Sequence, residues 1–303
     1  MPLPPLAPSR RILPLVAGLA RALPGLALLA AALALYNTGQ VLSLAVRPLS
    51  RRAFVAYNRA GADLWWRLLG ALARGLHGVR VEASGDPLPP GERALVVANH
   101  QQMTDVCFLA LFAAERGAAG DVKWFVKHPV RYVPLLGWGM AFLDNLFVRR
   151  AWARDRRSIE ATFARLRRDR GRYWIALFAE GTRATAAKIA EAERRWERRG
   201  RPPARHVLFP HSRGFTATLA GLAGDLDAVY DVTIAYDRGV PSLGQFIAGR
   251  VRRARVHVRR FPVGALPGDD AARAGWLVDR FARKDRLLDR CYRARGIGAR
   301  PPA

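Results

Sequence analysis

The sequence predicts an α/β domain, a mixed sheet flanked by helices, preceded by an N-terminal membrane helix or helical hairpin. Three observations carry this. From residue 94 onward, apolar runs of strand length alternate with helix-length stretches. Residues 22–46 contain no charged side chain, and as a helix they are long enough for a hydrocarbon core about 30 Å thick. Two polar motifs, Asn99-His100-Gln101-Gln102-Met103-Thr104-Asp105 and Glu180-Gly181-Thr182-Arg183, each follow a strand-like run, where α/β folds place their chemistry.

Taken in order, the uncharged run 22–46 exceeds the apolar core of a signal peptide and ends at Arg47 without a small-residue cleavage site, so the anchor is expected to persist. Asn37-Thr38-Gly39-Gln40 interrupts it with side chains that are costly in lipid, which allows a bent or re-entrant helix as well as a full span. Arg10 and Arg11 precede the run and Arg47, Arg51 and Arg52 follow it. The charge bias therefore leans toward a cytoplasmic catalytic side at the inner membrane. Residues 54–76 carry Trp65, Trp66, Leu68, Leu69, Leu72 and Leu76 at roughly helical spacing, which suits an interfacial helix or an ordinary amphipathic one.

The turn-rich stretch Ser84 to Gly91 separates this apolar N-terminus from the rest of the chain. The division is set at 1–78 for the membrane-associated segment and 79–303 for the catalytic domain. Within the latter, strands are expected at 94–98, 122–126, 145–148, 173–178, 228–236 and 255–261. Helices are expected at 105–115, 152–169 and 270–292. Residues 184–201 read as a charged solvated helix or ordered insertion ended by Pro202-Pro203, without a catalytic role. The apolar stretch 133–143 is read either as the lining of an acyl groove or as ordinary core.

Composition excludes some classes. Half of the residues are hydrophobic, which rules out disorder, and the two cysteines, Cys107 and Cys291, form neither a disulfide framework nor a metal site. The net charge of +26 attracts nucleic acid or anionic lipid. Arginine-rich usage can also be compositional background, so the uncharged run decides in favour of membrane lipids, and no nucleic acid is expected.

The first motif supplies a base. A histidine that accepts a proton through one ring nitrogen needs its other N–H held by an acceptor, commonly a carboxylate. His100 in the turn after the strand and Asp105 in the first turn of the helix meet that need, with Thr104 or Asn99 available to cap the turn. The spacing alone equally fits a loop histidine beside a helix-favouring aspartate. Cys107 lies in an apolar run, so a substrate hydroxyl rather than a protein nucleophile is expected to attack. In the second motif Gly181 permits close backbone approach and Arg183 a bidentate grip on phosphate; the alternative is a turn in which Glu180 and Arg183 pair with each other. Phe147-Val148-Arg149-Arg150 ends a strand in cations, and Leu208-Phe209-Pro210-His211-Ser212-Arg213-Gly214 is a proline-marked turn into a helix.

In this order the four elements resemble the motifs of the glycerolipid acyltransferases, the lysophosphatidic acid or PlsC-type family, over roughly residues 79–292. Tyr230 to Tyr236 and Val256 to Pro262 look like its lysocardiolipin acyltransferase and YihG-like branch. The resemblance implies a glycerol-phosphate acyltransferase-like fold and transfer of a fatty acyl group from acyl-CoA or acyl carrier protein to a lysophospholipid. The expected acceptor is 1-acyl-sn-glycerol-3-phosphate, giving phosphatidic acid; lysophosphatidylglycerol or lysocardiolipin is the alternative. It implies catalysis by His100 and Asp105, and substrate binding by Asn99, Phe147, Arg150, Glu180, Gly181, Thr182, Arg183, Pro210 and Gly214. Asn99 and the backbone near the turn are also candidate oxyanion partners. The donor is a cosubstrate, and no cofactor or metal is expected. Asp144 departs from the pattern, since many members carry glycine there, and so does the basic His211-Ser212-Arg213. Two readings from other directions remain: a non-catalytic, basic, membrane-tethered binding protein, and a hydrolase that uses water as acceptor.

Overall fold

The computed structural model describes residues 12–149 and 151–294. Helices α1 (Ile12–Ser43) and α2 (Arg51–His77) form a hairpin. Beyond Gly78 the chain runs β1 (Arg80–Gly85), β2 (Ala94–Ala98), α3 (Thr104–Ala114), β3 (Val122–Lys127), α4 (Leu136–Phe142), β4 (Leu146–Val148), α5 (Trp152–Asp169) and β5 (Trp174–Phe178). It continues with α6 (Ala186–Glu197), α7 (Ser212–Gly221), β6 (Ala228–Tyr236), α8 (Leu243–Ile247), β7 (Arg253–Pro262) and α9 (Asp270–Arg293).

The seven strands make one mixed sheet in the order β1-β7-β6-β2-β5-β3-β4. Strands β6, β2, β5, β3 and β4 run parallel, while β7 is antiparallel to β6 and parallel to β1. Strand β2 is central and reads Ala-Leu-Val-Val-Ala, buried throughout, because both sheet faces are covered there. The crossover from β2 through α3 to β3 and the one from β4 through α5 to β5 travel in opposite directions across the sheet. Right-handed connections therefore put α3 and α5 on opposite faces. Helix α2 packs on α3 on one side, and α7 packs on α9 on the other.

Strand β1 was not expected from the sequence. Its six residues are mostly exposed and do not alternate, so only pairing with β7 reveals it. Residues 186–197, expected as a solvated helix, form α6, an amphipathic helix whose Ile189, Ala192 and Trp196 are buried, with Trp196 edge-on to Phe209.

Helix α1 is continuous through Asn37-Thr38-Gly39-Gln40, with Asn37 and Gln40 buried against the protein and Thr38 exposed. Gln40 donates to Asn58 Oδ1 of α2 (2.9 Å) and to the Gly139 carbonyl of α4 (3.2 Å), while Ser43 accepts from Asn58 (3.3 Å). Leu19, Leu23, Leu26, Leu35 and Leu42 of the same helix are exposed. Gly139 lies against this network: a Cβ there would come within 3.3 Å of both Asn37 and Gln40. This corrects the acyl-groove reading of the stretch at that position, which is an interhelical contact. Asp144 adopts φ 54°, a left-handed conformation that glycine takes freely and aspartate tolerates, and its carboxylate pairs with Arg165 at 2.6 Å.

Candidate active site

The site lies at the carboxyl ends of β2, β5 and β6, which share an edge because they are parallel and in register: Ala98 pairs with both Phe178 and Val232. Past Ala98, alternate residues take opposite roles. Asn99 and Gln101 turn into the protein. Asn99 Oδ1 accepts from the Ile234 N–H (2.8 Å) and its Nδ2 donates to the Ile234 carbonyl (3.1 Å), so a side-chain amide continues the β2–β6 ladder beyond the end of β2. Gln101 donates to the same carbonyl (2.8 Å) and accepts from the Tyr292 hydroxyl of α9 (2.8 Å). The expectation that Asn99 serves substrate or oxyanion is corrected accordingly: the residue is fully buried and tied to β6.

His100 points the other way. Its Nδ1 lies 3.0 Å from Asp105 Oδ2, its ring stacks on Phe178 at 4.3 Å, and its side chain keeps 12% of its surface open. Nε2 is the ring nitrogen directed away from Asp105. The carboxylate that orients it is completely buried and has further donors: the Gln102 N–H (2.7 Å) on Oδ2 and the Tyr236 hydroxyl on Oδ1. Burial and the neighbouring Asp105 charge push the Tyr236 hydroxyl well above its ordinary value, so it stays protonated as a donor. Neither Thr104 nor Asn99 caps the turn. Thr104 donates to the Pro241 carbonyl (3.0 Å), and Asp105 itself holds the turn through Gln102.

Glu180 is buried and does not pair with Arg183. Its Oε1 accepts the His100 N–H (2.9 Å) and its Oε2 the Leu208 N–H (3.1 Å), joining the first, third and fourth motifs. Burial, reinforced by Asp105, pushes its carboxyl up to about 8 against the pull of those two N–H groups and Lys284. Gly181 takes φ 67°, and a Cβ there would sit 3.4 Å from His211. Thr182 accepts from Lys188 Nζ of α6 (2.7 Å). Arg183 is exposed and donates to Gln102 Oε1 at 2.6 Å, which brings the cation of the third motif onto the histidine turn.

The fourth motif packs beneath. The His211 N–H donates to the Ala179 carbonyl (2.8 Å), Pro210 is buried, and Gly214 lets α7 approach Leu177 of β5, where a Cβ would meet Cδ1 at 3.4 Å. Phe147 lies half-buried on β4. Arg150 lies outside the described residues, as do Arg10 and Arg11; on either side of it the Arg149 and Ala151 N–H groups donate to buried Asp155 (2.8 and 3.2 Å).

Two participants escaped the sequence reading. Tyr236 closes β6 and reaches Asp105 from 131 residues away. Lys284 of α9 is buried beneath the site, donates to the carbonyls of Val97 (3.1 Å) and Val232, and pairs with Asp231. The only sequence signal for it is a lysine on the apolar face of α9, which comes after Phe281 at helical spacing and precedes Leu288.

A base oriented by a buried carboxylate, with an arginine brought to the same turn at a strand edge, defines an α/β enzyme site suited to activating a hydroxyl near an anion. The comparisons with known proteins agree. An acyltransferase family model matches residues 80–237, and an acyltransferase C-terminus model matches residues 245–296. The chain is 31% identical to 1-acyl-sn-glycerol-3-phosphate acyltransferase 3 of Arabidopsis thaliana, over 83% of this chain and 69% of the relative. It is 32% identical to lysocardiolipin acyltransferase 1 of Danio rerio, over 75% of this chain and 60% of the relative. The crystal structure of the 1-acyl-sn-glycerophosphate acyltransferase PlsC from Thermotoga maritima shares the fold, with a TM-score of 0.55 at 15% identity, over 89% of this chain and 96% of that one. The protein belongs to the acyltransferase family, among relatives that act on lysophospholipids by name. It spans 61–69% of the length of three Arabidopsis relatives.

Proposed function

We propose that this enzyme transfers a fatty acyl group from a thioester, acyl-CoA or acyl carrier protein, to the free hydroxyl of a lysophospholipid. The acceptor is 1-acyl-sn-glycerol-3-phosphate and the product phosphatidic acid. The observation that carries the reading is the His100–Asp105 contact at 3.0 Å, with Arg183 held on the same turn through Gln102. His100 Nε2 takes the hydroxyl proton as the oxygen attacks the thioester carbonyl; the tetrahedral intermediate then collapses, expels the thiolate, and the imidazolium returns the proton to sulfur. Asp105 holds the tautomer that leaves Nε2 free to accept, and it stabilises the imidazolium between the two transfers. Arg183 and Arg150 bind the acceptor phosphate, and Glu180 keeps the two turns in register. Lysophosphatidylglycerol or lysocardiolipin is the second acceptor reading, favoured by the similarity to the fish lysocardiolipin enzyme.

The N-terminal segment, residues 1–78, embeds in one leaflet, and residues 79–303 work at its surface, on the cytoplasmic face of the inner membrane. Helix α1 is long and apolar enough to cross a bilayer. It nevertheless touches the catalytic domain near both ends, at Gly18 against Ala248 and at Gln40 against Gly139. Those contacts lie about 33 Å apart along the helix, more than the roughly 30 Å hydrocarbon core, so a spanning α1 would pull the domain into lipid.

Purified protein supplied with acyl-CoA and a panel of lysophospholipids, with products identified by mass, tests this. His100→Ala is expected to lose roughly 10²–10⁴-fold in turnover while the protein still co-purifies with membranes. Near-normal turnover in that variant would sink the mechanism, and free fatty acid as the product would show a hydrolase.

A further inference from the structure

A cavity of about 380 Å³ opens between the N-terminal part of α1, the end of α2 and the turn joining α8 to β7. Arg21, Arg250 and Arg252 line it, with His77 beside them. None of the three arginines forms an ion pair among the described residues, whereas Arg253 and Arg255 on adjoining β7 share Glu82. Close backbone approaches build the cavity. A Cβ on Gly18 would lie 2.4 Å from the Ala248 carbonyl oxygen, and one on Gly249, which has φ 69°, would lie 2.3 Å from the His77 ring. Three unpaired guanidinium groups around one cavity repel each other, and an anion relieves that repulsion.

The surroundings name the anion. Leu76 lines the cavity, and Leu13, Val16, Leu19 and Leu23 are exposed on the side of α1 turned away from it. The arginines therefore stand directly behind a helix whose outer face is apolar, at the level where a membrane-bound α1 meets the head groups of anionic phospholipids. The place in the sheet separates this cavity from the reacting centre. Ala254 of β7 pairs with Tyr236 of β6, so Arg252 emerges on the same sheet edge as the histidine turn. In the sheet order it lies on the β7 side of His100, while Arg183 lies on the β5 side.

We propose that Arg21, Arg250 and Arg252 form a second phosphate-binding site, for the head group of a resident anionic phospholipid, which seats this edge of the enzyme on the membrane. The inference rests on the one-leaflet reading above. It goes beyond that reading by assigning a lipid site that is not the acceptor's.

Native mass spectrometry of the full chain, purified in detergent with equal phosphatidylglycerol and phosphatidylcholine, tests it. The wild-type protein is expected to retain phosphatidylglycerol preferentially. Arg250→Ala/Arg252→Ala is expected to lower the ratio of the two lipids roughly 25-fold, at about fivefold per arginine. Arg194→Ala/Arg195→Ala, an equal charge removal on exposed α6, and Arg183→Ala are expected to leave the ratio within about twofold of wild type. An unchanged ratio in the Arg250/Arg252 variant, or an equal fall in the α6 control, would overturn the proposal. So would displacement of the bound lipid by inorganic phosphate or CoA, which would indicate a site for soluble phosphate. Equal retention of both lipids by the wild type refutes the head-group site alone, whereas retention of neither refutes the one-leaflet reading with it.

Discussion

The carboxyl group of Glu180 receives the backbone N–H of His100 at 2.9 Å, and its other oxygen receives that of Leu208 at 3.1 Å. One buried side chain thereby sets the height of His100 relative to the turn that carries Arg183. The geometry assigns Glu180 a positioning role, exerted through backbone rather than through substrate.

Replacing Glu180 with Gln turns one acceptor into an N–H₂ group that faces an N–H donor. The expected loss of stability is about 1–3 kcal/mol, with kcat falling more than the KM for donor. The pH dependence has a definite sign. Folding raises this carboxyl from 4.5 to about 8, so between those values the folded state keeps a proton that the unfolded chain has released. That contribution to stability is complete below pH 4.5 and declines as pH rises toward about 8. Chemical unfolding at several pH values should show this decline in the parent protein and a flatter profile in Glu180→Gln; identical slopes would contradict the assignment.

Tyr236→Phe removes one donor from Asp105 and leaves the Gln102 N–H and His100 in place. Deleting a hydrogen bond to a charged group is expected to lower kcat about tenfold, or roughly 1.4 kcal/mol. Acceptor KM should stay within about twofold. Steady-state kinetics with acceptor and donor varied separately decide the matter, and a pure KM effect would move Tyr236 into the binding site.

Arg183→Ala should behave in the opposite way. Loss of a charge-assisted contact to phosphate is expected to raise acceptor KM roughly tenfold or more while donor KM holds. Arg183→Lys should restore only part of the affinity, because an ammonium lacks the planar fork. An equal rise in both KM values would mean that the cation serves the donor as well.

The hairpin can be tested at Gln40, whose amide ties Asn58 to the Gly139 carbonyl. Gln40→Leu leaves those two buried acceptors without that donor, at an expected cost of about 1–3 kcal/mol each. Thermal unfolding in detergent should show the drop, and Thr38→Leu on the same helix, whose hydroxyl only returns to the Ala34 carbonyl, should not.

Much of this molecule is legible along the chain because its signals are local. Strand β2 is a five-residue buried run. The His100–Asp105 pair needs only a turn and the first turn of a helix, so five residues of spacing predict a contact that the fold then makes at 3.0 Å. The uncharged run of α1 is likewise a property of consecutive residues.

Other features depend on which segments the sheet brings together. Asn99 has the composition of a substrate ligand, yet it extends the β6 ladder, because β2 ends one step before Ile234 needs a partner. Glu180 and Arg183 are close enough in sequence to pair with each other, but parallel β2 and β5 bring the His100 N–H to Glu180, and buried N–H groups require acceptors. Gln40 of α1 reads as a flaw in a membrane helix until α2 and α4 supply its partners. The sequence by itself determined the His100–Asp105 contact, the long apolar run of α1 and the α/β alternation, since each is written within a few turns of chain. The tertiary structure alone decided which carboxylate meets the His100 ring and which meets its backbone N–H, and which side chains of α1 find partners in the domain. Those outcomes depend on hydrogen-bond partners and packing surfaces far apart in the chain, which no local pattern encodes.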